Sequence, residues 1–151
     1  MLKKIAGKVF RKIPRQLRKR LVRLTQDKFT ASVAAIVFNR DGEVLLLDHV
    51  LRPQSGWAIP GGFINSAEQP VEAVKREIRE ETGLNLAEVE LLRVRVVGKH
   101  IEFIFRAEAV GKAEVKSLEI NAVGWFSVAD LPEQMREVEK KMIKELPPKS
   151  S

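Results

Sequence analysis

Three glutamates, Glu77, Glu80 and Glu81, stand at i, i+3 and i+4 in the chain. On a helix that spacing gathers three carboxylates on one face, with Cβ atoms about 5 to 6 Å apart. A group of hard oxygen donors suits a cation such as Mg²⁺, which keeps some of its waters and is commonly held by carboxylates together with a substrate's phosphates. An acidic stripe is also cheap to leave in water. Like-charged neighbours on a solvated helix cost only about 0.2–0.5 kcal/mol per pair, and Arg76 is spaced to pair with Glu80. The loop ahead of the helix favours the cation reading: Gly61 and Gly62 permit close backbone approach, and Glu68 follows just outside the helix start.

Other chemistries find little support. The chain has no cysteine, which removes disulfides, thiolate metal sites and cysteine nucleophiles, and points to a reducing compartment, with the cytoplasm as the expected location. Its two histidines, His49 and His100, lack the further soft ligands of a zinc site, and neither belongs to a Ser-His-Asp arrangement. Both read as ordinary strand-end residues. Trp57 offers a ring on which a base could stack, although an aromatic beside a buried strand is more often part of the core.

The elements that must position the three acids can be read from their neighbours. Pro70 suits the first turn of a helix, and Gly83 suits its C-terminal cap, so a helix is expected between them. Val71, Val74 and Ile78 lie about a quarter-turn from the acids, so the helix can pack on a sheet while showing its carboxylates to a cleft. Upstream, apolar runs at 31–38 and 44–47 flank Arg40-Asp41-Gly42 and predict a hairpin. A loop through Arg52, Pro53 and Gly56 leads to Trp57-Ala58-Ile59-Pro60-Gly61-Gly62. Downstream, 89–97 and 100–110 predict two strands around Gly98-Lys99, and 122–127 a further short strand. Leu131, Met135, Val138, Met142 and Leu146 mark a closing helix that Pro147-Pro148 ends. Strands on both sides of one central helix predict an α/β (α+β) domain with a mixed sheet between helices.

The N-terminus differs from this body. Residues 1–30 carry 11 Lys or Arg against Asp27 alone, so of the chain's net +7 the remainder holds about −3. Leu2, Ile5, Val9, Ile13, Leu17, Leu21 and Leu24 recur every three or four residues, predicting an amphipathic helix or helix pair over 2–25, interrupted near Pro14. The expected division is a basic helical extension at 1–28 and a single domain at 29–151. The preferred use of the extension is structural, its apolar stripe packing on the domain or forming a homodimer. Nucleic acid and an anionic membrane surface are the less favoured partners. No apolar run approaches the roughly 20 residues of a bilayer span.

The segment Gly62, five residues, Glu68, seven residues, then Arg76-Glu77-Ile78-Arg79-Glu80-Glu81-Thr82-Gly83-Leu84 matches the signature box of the Nudix hydrolases at every fixed position. The wider order of hairpin, Gly-Gly loop, box helix and later Trp-bearing strand also resembles that family, in the form typified by MutT-like enzymes. The resemblance implies an α/β/α sandwich with the box helix on one face of a mixed sheet. It implies Mg²⁺, or Mn²⁺ in its place, held by Glu77, Glu80 and Glu81 with the Gly61 carbonyl as a further ligand. It makes Arg76 and Glu68 supports of that cluster, and Glu77, Glu80 and the late-loop Glu119 the catalytic candidates, with Glu77 the first choice of base. His49, Arg52 and Trp57 fall where similar proteins contact substrate. The implied activity is hydrolysis of a diphosphate linkage in a nucleoside di- or triphosphate or nucleoside diphosphate derivative, the substrate being a small nucleotide. The alternatives are removal of pyrophosphate from an RNA 5′ end, favoured by the basic N-terminus, and a nucleotide-sensing module without turnover, which the unbroken box argues against. The absence of any tyrosine argues modestly against a dinucleoside polyphosphate as substrate.

Overall fold

A computed structural model of the chain describes residues 13–51 and 56–146. Ten elements follow in order: α1 (Arg15–Thr25), β1 (Thr30–Phe38), β2 (Val44–His49), β3 (Trp57–Ala58), β4 (Gly61–Phe63), α2 (Pro70–Thr82), β5 (Asn85–Val97), β6 (His100–Val110), β7 (Ile120–Phe126) and α3 (Glu137–Lys144). The seven strands form one sheet of order β3-β2-β1-β6-β5, with β4 added to β1 and β7 to β2. The sheet is mixed because β1 and β6 run parallel while the other pairs are antiparallel.

The unbroken apolar runs of β1 and β2 reflect burial on both faces of the sheet. On one face Val33, Ala35 and Val37 of β1 pack with Leu45, Leu47 and, from α2, Ala73, Val74 and Ile78. On the other Ala34, Ile36 and Phe38 pack with Val44, Leu46 and, toward α3, Met135, Met142 and Ile143. The expected sandwich with the box helix on one face is therefore present. Val74 and Ile78 are fully buried, whereas Val71, expected beside them, is exposed.

Several boundaries depart from the sequence expectations for identifiable reasons. The turn after β1 forms as expected, with the Asn39 side-chain oxygen accepting from the Asp41 and Glu43 amides and Gly42 at φ 76°. Beyond Phe38↔Val44, however, β1 and β2 part: β1 pairs with β4 and β6, and β2 with β3 and β7. Strand β5 starts at Asn85, not 89, because pairing with β6 resumes on both sides of a bulge where Glu88 adopts φ 47°. The closing helix is shorter than its apolar spacing suggests. Pro132 starts a turn that the Met135 amide closes, so Leu131 and Met135 precede α3, and Val138 faces solvent. Of the N-terminal helix expected over 2–25, α1 is the part within the described residues, and Pro14 stands at its N-terminal cap. No helix among the described residues is long and apolar enough to cross a membrane.

Candidate active site

The site is organised by one guanidinium. Arg76, midway along α2, gives Nε to Glu68 Oε1 (2.7 Å) and Nη2 to Glu68 Oε2 (2.9 Å) and to the Phe63 carbonyl (3.0 Å). Its Nη1 bonds Glu77 Oε1 (2.8 Å) and Glu80 Oε2 (3.1 Å). An arginine side chain has five N–H donors, and these five bonds commit all of them. The bidentate pair with Glu68 is the strong, planar geometry that lysine cannot reproduce. Glu68 is turned back toward Arg76 by a bend in which Ala67 takes φ 64° and the Asn65 amide donates to Glu68 Oε2 (2.8 Å). The Arg76 bond, then the Asn65 amide, hold the Glu68 pKa down at about 2. The same pairing raises that of Arg76.

The glycines ahead of the helix are required by contact. A Cβ on Gly61 would strike the Val33 carbonyl of β1, and a Cβ on Gly62 would fall on the Glu77 carboxylate. Gly61 and Gly62 pair with Ala34 and Val33, so β4 runs against β1 with the Glu77 head group seated over it. The three box acids then grade from solvent to interior: the Glu80 side chain is 60% exposed, that of Glu77 17%, and Glu81 is buried. Thr82 and Gly83 stop the helix: the Thr82 hydroxyl donates to the Ile78 carbonyl (2.6 Å), and Gly83 closes the turn at φ 75° with its amide on Arg79.

Glu119, expected as a late-loop partner, lies exposed just before β7. The segment that carries it is tied to the end of α2, because the Glu114 and Lys116 amides donate to the Thr82 and Glu81 carbonyls (3.0 and 2.9 Å). Glu119 also meets the end of β2: its carbonyl accepts from the Val50 amide (2.9 Å), and His49 pairs with Ile120. His49 and the backbone of Glu119 are thus neighbours. Trp57 pairs with Asp48 and sets its ring edge-on to Phe126, 4.8 Å between centroids, against the core on the α3 side. Arg52 lies outside the described residues.

A cleft of about 410 Å³ opens beside β4, lined by Gly61, Phe63, Ser32, His100, the Arg95–Glu102 pair and Glu139. That volume falls within the range of small-ligand pockets. Sequence reading missed most of this lining. His100, taken for a strand-end residue, has both ring nitrogens engaged, Nδ1 with Thr30 Oγ1 (2.7 Å) and Nε2 with Ser32 Oγ (2.8 Å). Nothing in the local sequence announces that, because it arises from parallel pairing of β1 with β6. Glu139 did carry a signal: its spacing of three and four from Met142 and Ile143 sets it on their buried side of α3, and a carboxylate there requires a partner, here Arg136.

The donor set suits a hard divalent cation in kind, being carboxylate oxygens beside a glycine strand on which the Glu77 head group is seated. Among the described residues no three His, Cys, Asp or Glu side chains are already disposed as a metal-holding group. The Arg76 guanidinium stands between Glu77 and Glu80.

Comparison with known proteins agrees with this geometry. A MutT-like protein of Streptomyces ambofaciens is 34% identical over 112 residues, covering 72% of this chain and 71% of that protein. An 8-oxo-dGDP phosphatase of Danio rerio is 35% identical over 66% of this chain and 33% of its own length. An RNA pyrophosphohydrolase of Xanthomonas oryzae pv. oryzae is 36% identical over 59% of this chain and 46% of its own. The chain thus spans about a third and under half of the latter two proteins. The crystal structure of a MutT NUDIX hydrolase from Burkholderia pseudomallei superposes with TM-score 0.69 at 28% identity, covering 80% of this chain and 99% of that one. With residues 28–146 matching the NUDIX domain, the chain belongs to the NUDIX hydrolase family.

Proposed function

We propose that the chain hydrolyses a diphosphate linkage in a small nucleotide, a nucleoside di- or triphosphate or a nucleoside diphosphate derivative. The observation that carries this reading is the five-bond anchoring of Arg76, which fixes Glu68, Glu77 and Glu80 around the Gly61–Gly62 strand. A solvated acidic stripe has no need of such an anchor. Glu77, Glu80 and Glu81, with the Gly61 carbonyl, are the groups that would hold Mg²⁺ or Mn²⁺. Such a cation, when bound, neutralises diphosphate oxygens and lowers the pKa of coordinated water.

The chain's own residues then have distinct tasks. Glu77, seated against Gly62 with one oxygen held by Arg76, is positioned to accept a proton from the water that attacks phosphorus. Glu80, more exposed and bonded through Oε2 alone, is free to reorient. Glu119 is the second candidate base in this reading, and the segment that carries it is tied to the end of α2 through the Glu114 and Lys116 amides. Attack forms one P–O bond and breaks another at the bridging oxygen, which leaves on a phosphate or pyrophosphate group. The cleft at His100 and Glu139 receives the rest of the nucleotide, and His49, Arg52 and Trp57 are further contacts in this reading. The similarity to an RNA pyrophosphohydrolase supports a second reading, an RNA 5′ end as substrate. A screen of nucleotides and triphosphorylated RNA with Mg²⁺, resolving phosphate from pyrophosphate release, tests both. Turnover of a small nucleotide that EDTA abolishes is the expected result. Absence of turnover across the screen, or full activity in EDTA, refutes the proposal.

A further inference from the structure

Helix α1 lies outside the matched domain, and the proposed chemistry makes no use of it. Its eleven residues include five cations, Arg15, Arg18, Lys19, Arg20 and Arg23, and no acid. At about 100° per residue Leu17 and Leu24 fall on one stripe, which Arg20 and Arg18 border on either side. That stripe is not spent on the domain core, for Leu17 is 48% and Leu24 78% exposed.

The C-terminal end of α1 leads to a corner that shares its character. Lys99, in the β5–β6 turn, bonds Asp27 (2.7 Å), and its carbonyl accepts from the Thr30 amide (3.0 Å). Beside this turn Phe29, Val96 and Val97 are exposed apolar residues, and Val97 also lines the cleft.

We propose that α1 and this corner form a docking surface for an anionic lipid bilayer. Leu17 and Leu24 with Phe29 and Val96 enter the headgroup–acyl boundary, while the bordering arginines reach the lipid phosphates. Charge and apolarity together select this occupant. RNA supplies phosphates but no apolar phase, and would leave Leu17 and Leu24 in water. A second copy would set two helices whose charged residues are all cations against each other, and like charges oppose that pairing. Neither signal suffices alone for lasting attachment, so binding depends on both. The inference stands apart from the hydrolase reading, since it uses none of the box residues.

The test sediments the full chain with phosphatidylcholine vesicles containing or lacking roughly a quarter phosphatidylglycerol. It compares wild type with Leu17→Ser/Leu24→Ser, and measures melting temperature, oligomeric state and binding to a single-stranded RNA oligomer in parallel. The expected result is binding only to the anionic vesicles, weakened by high salt and at least about tenfold weaker in the double variant, with melting temperature and oligomeric state unchanged. Three outcomes overturn the proposal: no binding to anionic vesicles, equal binding by the double variant, or RNA binding in their place. A double variant that melts lower or changes oligomeric state does so too, by assigning the stripe to the protein's own core or to a second copy.

Discussion

Helices α1 and α2 are both short, amphipathic and rich in charge, yet the chain uses them in opposite ways. In α2 the charges are answered from outside the helix: Arg76 reaches Glu68 and the Phe63 carbonyl, and Glu77 is seated over Gly62. On its apolar side Ala73, Val74 and Ile78 are inaccessible. In α1 the charged residues are all cations, and Leu17 and Leu24 remain exposed. The difference shows what makes a charged helix a site. Like charges on a helix cost little in water, so a stripe of them carries no information until residues distant in sequence hold them in fixed positions.

The sharpest way to break the comparison is to remove charge from α2 without touching its packing. Glu80→Gln and Glu81→Gln should each lower turnover of the best substrate by at least roughly two orders of magnitude, while circular dichroism shows an intact fold. An unaffected Glu81→Gln enzyme would reduce α2 to a solvated stripe like that of α1.

A smaller effect is expected from the anchor. Arg76→Lys keeps the charge but replaces a five-donor fork by an ammonium with three donors, so Glu68, Glu77 and Glu80 cannot all be held. We expect a loss of about 1–3 kcal/mol in unfolding free energy by urea titration, with turnover falling alongside it. Retention of both would remove the anchoring argument.

The smallest effect concerns pH. Glu68 titrates at about 2 in the folded chain against an ordinary 4.5. Its contribution is therefore present above pH 4.5 and lost as pH falls from there toward 2. Wild type should melt above Glu68→Gln at neutral pH, and the gap should close as the buffer is acidified through that window. A gap that stays constant down to pH 2 would mean that the Glu68 charge does not stabilise the loop.

How much of this was legible in the sequence depends on the distance between partners. The box helix declares itself locally, since Pro70 and Gly83 mark its ends and the spacing of Glu77, Glu80 and Glu81 marks its face. Arg76 was legible in kind as a partner for Glu68 or Glu80, but not as the holder of both together with Glu77 and the Phe63 carbonyl. The cleft was largely illegible because its walls come from strands far apart in sequence, such as His100 against Thr30 and Ser32. The early parting of β1 and β2 was hidden for the same reason: a local turn predicts a hairpin, while the competing partners β4, β6 and β7 lie far downstream. Among the expected site residues, the structure brings Glu68, Arg76, Glu77 and Glu80 into one network and His49 beside the backbone of Glu119, and it sets Trp57 against Phe126.

The central claim is that the acids of α2 form a working cation site, and Mn²⁺ binding by the full chain tests it most directly. Electron paramagnetic resonance of free Mn²⁺ should show saturable uptake by the wild type, strongly weakened in Glu77→Gln and Glu81→Gln at unchanged melting temperature. Equal uptake by the variants, or no uptake by the wild type even with nucleotide present, would contradict it.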